Sequence, residues 1–143
     1  MTDIRWYDNE SVDEAIDEAR SSRRALLVDF WDPTCLGCAK LFALTYRSEA
    51  VRRTISDDFV AVKYDTSRPG PHYRVLNGRV AHFWHPHLLV ADDRLVEGRR
   101  VVGYQDPECL RAQLELGLGT LYLYHRRYPE ALAIVRRAAG LEP

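Results

Sequence analysis

The run Ala25-Leu26-Leu27-Val28-Asp29-Phe30-Trp31 leads, through Asp32-Pro33-Thr34, into Cys35-Leu36-Gly37-Cys38. A short apolar run of this kind reads as a buried strand. After the second cysteine, Leu41, Phe42, Ala43 and Leu44 read as a helix to about Tyr46. The chain must therefore pass from strand to helix at the two cysteines, and few folds place a thiol pair there. Three meanings are open at this point: a redox dithiol, half of a metal site, or two structural thiols that happen to be neighbours.

The surrounding chain narrows the fold. Ser11-Val12-Asp13-Glu14 has the spacing of a capping box, and Val12, Ala15, Ile16 and Ala19 follow at helical intervals, predicting a helix over 11–22. Ser48 reads as the cap of another helix carrying Val51 and Ile55. Phe59 to Asp65 is a second apolar strand, and the proline- and glycine-bearing segment 66–86 reads as loop with a short helix near Tyr73–Leu76. His87–Ala91 and Arg99–Tyr104 form a predicted hairpin with its bend near Asp93 or Glu97-Gly98. Asp106-Pro107-Glu108 is a strong helix start, the helix running to about Arg126 and a second beginning at Pro129. Strands linked through a helix, then a hairpin and a packing helix, predict an α/β fold with a mixed sheet.

Composition limits the function. Twenty Lys and Arg against 21 Asp and Glu give no field directed at nucleic acid or at an acidic membrane. No apolar run approaches the roughly 20 residues needed to cross a bilayer. The first ten residues show no basic and apolar leader pattern, so a cytoplasmic, reducing setting is expected. Three cysteines do not make a structural disulfide framework there.

Over roughly residues 4–118 the chain resembles the thioredoxin superfamily. The carriers are Leu27-Val28-Asp29-Phe30-Trp31 followed by Cys35-Leu36-Gly37-Cys38, then His85-Pro86 before the strand His87–Ala91, and the hairpin ending Val102-Gly103-Tyr104. Thr45, Tyr46 and Val51 resemble more narrowly the branch with an interrupted active-site helix, which includes the thioredoxin-like domains of disulfide reductases. The resemblance implies a thioredoxin-like α/β/α sandwich over residues 1–111 and a cis proline at Pro86. It departs from the family at Thr34, where tryptophan is usual, and at Leu36-Gly37, where Gly-Pro is usual.

That likeness assigns expected roles. Cys35, in the first turn of a helix where unpaired N–H groups and the dipole favour a thiolate, is the expected nucleophile. Cys38, one turn further in, is the resolving thiol, and Thr34 is a candidate cap. Asp29 is a carboxyl in an apolar strand, where burial raises its pKa; the resemblance makes it the acid that moves a proton for Cys38. Lys63 is read as a solvated strand lysine displaced from the family's position. Trp31, Thr34, His85 and Pro86 are the substrate-side residues, Trp31 chiefly as packing beneath the site and the His85 backbone as an edge for an added peptide strand. The His85 imidazole is a candidate support for the Cys35 thiolate.

His82, His85 and His87 crowd one loop, so Cys35 and Cys38 with two of them would give a Cys₂His₂ zinc site. The VDFW context explains the cysteines without a metal, and neither metal nor other cofactor is expected. The expected activity is thiol–disulfide exchange on protein disulfides, fed by a dithiol reductase or other redox donor. A non-catalytic interaction module on the same scaffold is the alternative. Residues 112–143 resemble one tetratricopeptide repeat through Leu118-Gly119, Tyr122, Ala131, Ala138 and Pro143, with Tyr122 and Tyr128 expected to fill the gap between its helices. Its outer residues Tyr124, Leu132 and Val135 would need cover from the first domain, from a second chain (a homodimer or other protein partner) or from further repeats.

Overall fold

The computed structural model describes residues 3–78 and 84–140. Its centre is a five-stranded mixed sheet in the order β1-β3-β2-β4-β5, formed by β1 (Trp6–Tyr7), β2 (Ala25–Trp31), β3 (Phe59–Asp65), β4 (His87–Ala91) and β5 (Glu97–Val102). β3 lies parallel to both β1 and β2, while β2–β4 and β4–β5 are antiparallel. Helices α1 (Val12–Ser22), α2 (Leu36–Ala43), α3 (Glu49–Asp58), α4 (Tyr73–Asn77), α5 (Pro107–Tyr124) and α6 (Tyr128–Ala138) flank it.

Both faces of the central strands are covered, which is why β2 and β3 read as unbroken apolar runs. Leu27, Ala61, Leu88 and Val90 pack with Leu41 of α2, Val51 and Ile55 of α3, and Leu110 and Leu114 of α5. On the other face Leu26, Val28, Phe30 and Val62 meet Val12, Ala15 and Ala19 of α1. Asp29 is the polar exception inside β2.

Two caps differ from the sequence expectation. Ser11 stands at the start of α1 without a side-chain bond to the helix. Its hydroxyl is taken by the preceding turn, donating to Asp8 Oδ1 and accepting from the Asp8 amide, both at 2.9 Å. The cap of α2 is Cys35 itself rather than Thr34, as described below. Ser48 does accept from the Val51 amide, and Asp106 from the Cys109 amide at 2.8 Å. The β4–β5 bend falls at Asp92, whose Oδ1 accepts the amides of Arg94 and Val96, and β5 starts two residues earlier than predicted.

α5 runs unbroken through position 112, its Leu110, Leu114, Leu118 and Leu121 all buried in the core of the first face. α6 folds back on it. A Cβ added at Gly119 would stand 3.0 Å from Val135 Cγ2, so the glycine is what lets the two helices approach. Ala131 and Ile134 are buried at this contact, and Tyr122 packs on the core, but Tyr128 is exposed and fills no gap. Tyr124, Leu132 and Val135 stay exposed rather than packing on the sheet domain. Glu115 is buried and paired with Arg111 at 3.3 Å and Arg137 at 3.6 Å. No helix of the described residues is long and apolar enough to cross a membrane.

Candidate active site

β2 ends at Trp31, and the next turn is tied down by its own polar groups. Asp32 Oδ1 accepts from the Thr34 amide at 2.8 Å and from the Thr34 hydroxyl at 2.6 Å. These bonds, the hydroxyl's first, hold the half-buried Asp32 carboxyl below its usual range. They also spend the Thr34 hydroxyl, so it does not cap α2. The Cys35 amide donates to the Asp32 carbonyl at 3.0 Å, and Cys35 Sγ accepts from the Cys38 amide at 3.0 Å. A sulfur held at an N-cap faces the unpaired amides that stabilise negative charge.

Cys35 and Cys38 are joined as a disulfide, with Cα atoms 5.2 Å apart. Cys35 is half-buried; Cys38 is 2% exposed, on the face of α2 that also buries Leu41. The asymmetry suits one sulfur that meets a partner and one that only meets its neighbour.

The loop before β4 stands against this turn. The His85–Pro86 peptide is cis, and a Cβ added to Gly37 would lie 3.1 Å from Pro86 Cδ and 3.8 Å from the His85 carbonyl oxygen. Behind it, the Gly103 amide donates to the Pro86 carbonyl at 2.8 Å. His85 Nε2 lies 3.0 Å from Thr66 Oγ1, which also bonds the Trp31 carbonyl. Between turn and loop runs an open groove that holds Cys35, Thr34, Gly37, His85 and Pro86, with Leu36 and Trp84 on its rim, 87% and 67% exposed. Leu36, Trp84 and Tyr104 also line the groove, none of them among the residues expected on the substrate side.

Trp31 lies elsewhere, half-buried beneath the site. The Lys63 ammonium sits 4.3 Å from its ring and 3.8 Å from that of Phe42. Lys63 is also the register partner of Asp29 across β2–β3, so it is placed opposite the acid rather than displaced from it.

Asp29 is fully buried. Its Oδ2 accepts from the Tyr46 hydroxyl at 2.8 Å, and its Oδ1 has no hydrogen-bond partner among the described residues. Burial raises its carboxyl to about 7, while the Tyr46 bond and the Lys63 charge pull the other way. Tyr46, itself buried beside that carboxyl, is held well above the usual phenol range by burial first.

His82 lies outside the described residues. His87 is buried and rests edge-on against Phe30, ring centroids 5.9 Å apart, on the face of β2 opposite Asp29. Among the described residues no three His, Cys, Asp or Glu side chains converge as a metal site would require.

A mixed five-stranded sheet, a cysteine pair at a helix start and a cis proline packed against it define a thioredoxin-like fold. A family model described as thioredoxin-like matches residues 5–92, and the chain belongs to that family. The thiol:disulfide interchange protein DsbD of Ralstonia nicotianae is 31% identical over 110 residues, which are 76% of this chain and 18% of that protein. The chain thus spans under a fifth of the curated relative. Among solved structures, a thioredoxin from Thermus thermophilus superimposes with a TM-score of 0.67 at 19% identity, over 86% of this chain and 94% of that one. The oxidised C-terminal domain of Neisseria meningitidis DsbD gives 0.55 at 15% identity, over 74% and 90%. Identities this low speak to the fold alone.

Proposed function

We propose that the protein is a thiol–disulfide oxidoreductase acting on protein disulfides. The observation that carries this reading is the Cys35–Cys38 disulfide at the start of α2, with Cys35 opening on a groove beside Pro86 and Cys38 buried behind it. In the reduced protein, Cys35 as thiolate attacks one sulfur of a substrate disulfide and releases the other. Cys38 then attacks Cys35, freeing the substrate and re-forming the disulfide. Asp29 accepts the Cys38 proton; a carboxyl near 7 can both take and return a proton at neutral pH. The substrate chain lies along the His85 backbone, between Leu36 and Trp84. A dithiol donor resets the pair.

In this reading residues 112–143 form a tetratricopeptide-like hairpin, and its exposed Tyr124 and Leu132 offer a surface for a protein partner.

Cys35→Ser should abolish reduction of insulin disulfides, and Cys38→Ser should trap a mixed disulfide on Cys35. Full insulin reduction by Cys35→Ser would end the proposal. The alternative, a binding module without redox turnover, is favoured if the Cys35 thiol titrates at about 8.5, the value of an unperturbed cysteine.

A further inference from the structure

The Tyr46 hydroxyl makes the one hydrogen bond that the buried Asp29 carboxyl receives among the described residues. The break after α2 puts it there. Leu44, at φ −118° and ψ −63°, ends the helix, and residues Thr45–Arg47 turn in a single 3₁₀ turn that sends Tyr46 back over β2. Trp6 of β1 and Phe42 of α2 form a three-ring cluster with the phenol, at centroid distances of 5.0 and 4.8 Å from it and 5.6 Å from each other. Thr45 fixes the same turn by donating to the Gln105 carbonyl at 2.6 Å. The ring has little room to move, so the hydroxyl is committed to Asp29.

The geometry points to Tyr46 as the positioning residue for proton transfer: by occupying Oδ2 it leaves Oδ1 as the oxygen that takes the Cys38 proton. The inference rests on the reading of Asp29 as the proton acceptor and extends it. In the resolving step Cys38 gives its S–H proton to Asp29 Oδ1 as its sulfur attacks Cys35. The Cys35–Cys38 bond forms, the bond between Cys35 and the substrate breaks, and the departing sulfur takes a proton from water. Over the full cycle the dithiol loses two electrons and the substrate disulfide gains two; Asp29 returns its proton to solvent.

Few other charges reach the carboxyl. From β3 the facing group is Lys63 and from the 3₁₀ turn Tyr46; β4 presents the apolar Leu88, and His87 lies on the other face of the sheet. Loss of the Tyr46 bond, which favours the ionised acid, therefore has a defined direction.

The test uses Ellman's reagent in a Cys109→Ser background, since Cys109 is an exposed thiol. The reduced protein is loaded at Cys35 with one equivalent, and release of thionitrobenzoate by Cys38 is followed against pH. Wild-type release should rise through neutral pH. In Tyr46→Phe the rise should move upward by about one pH unit, giving roughly 3- to 10-fold slower release at neutral pH and convergence with wild type in alkali. Convergence also shows that the variant is folded. Superimposable profiles, or a slowing equal at every pH, would overturn the assignment. Asp29→Asn separates the two claims. If it slows release while Tyr46→Phe does not, only the Tyr46 role fails. If Asp29→Asn releases at the wild-type rate, the Asp29 reading fails and the Tyr46 role with it.

Discussion

Gly37 and Pro86 are in contact across the active-site groove, so close that a β-carbon on the glycine would come within 3.1 Å of the proline ring. The contact gives Leu36-Gly37 a division of labour: Leu36 points outward, 87% exposed, and Gly37 lets the loop close on the turn. Gly37→Ala should gain helix propensity and lose packing in comparable amounts, leaving stability within about 1 kcal/mol of wild type. The loop and turn would be forced apart by a few tenths of an ångström. Insulin reduction should fall several-fold in that variant; wild-type turnover would show that the contact does not set the groove.

Asp29 gives the protein a pH-dependent instability. Its folded-state pKa, about 7, lies above the ordinary carboxylate value of 3.8, so the folded protein holds this proton more tightly than the unfolded chain. The associated stability is complete below the ordinary value and is lost as pH rises through about 7, an effect on the order of 4 kcal/mol. Asp29→Asn should unfold with a flatter dependence between pH 4 and 8, both approximate bounds set by those two pKa values. It should also be more stable than wild type at the upper end. Parallel curves for the two proteins, measured by urea denaturation, would contradict this.

Lys63 supplies a positive charge acting on Asp29 and covers the Trp31 and Phe42 rings. Lys63→Met keeps most of the stem that packs there and removes the charge. The Asp29 carboxyl, followed by carbon-13 shifts in the labelled protein, should then titrate higher than in wild type. An unchanged midpoint would show that the charge is screened.

Much of the framework is legible in the residues, and the reasons are local. β3 and β4 fall where their apolar runs begin and end, because both faces of those strands are buried. β1 carries no such signal: two residues, Trp6 and Tyr7, are too few for a period and are defined only by pairing with Ala61 and Val62. Thr34 looks like a cap by residue type, but Asp32 is nearer and takes its hydroxyl. Lys63 can be placed on β3 from sequence, whereas its position opposite Asp29 depends on strand register. Tyr46 marks the interrupted helix in the sequence, but its bond to Asp29 depends on how the chain turns after α2.

The central claim is that Cys35 and Cys38 are a reversible redox dithiol. Equilibrating the protein in glutathione and dithiothreitol buffers of graded potential, then counting free thiols at the pair, tests it directly. The account predicts one two-electron transition, within the roughly −270 to −120 mV spanned by thioredoxin-like couples. A pair that stays reduced throughout, or a disulfide that none of the buffers opens, would contradict it.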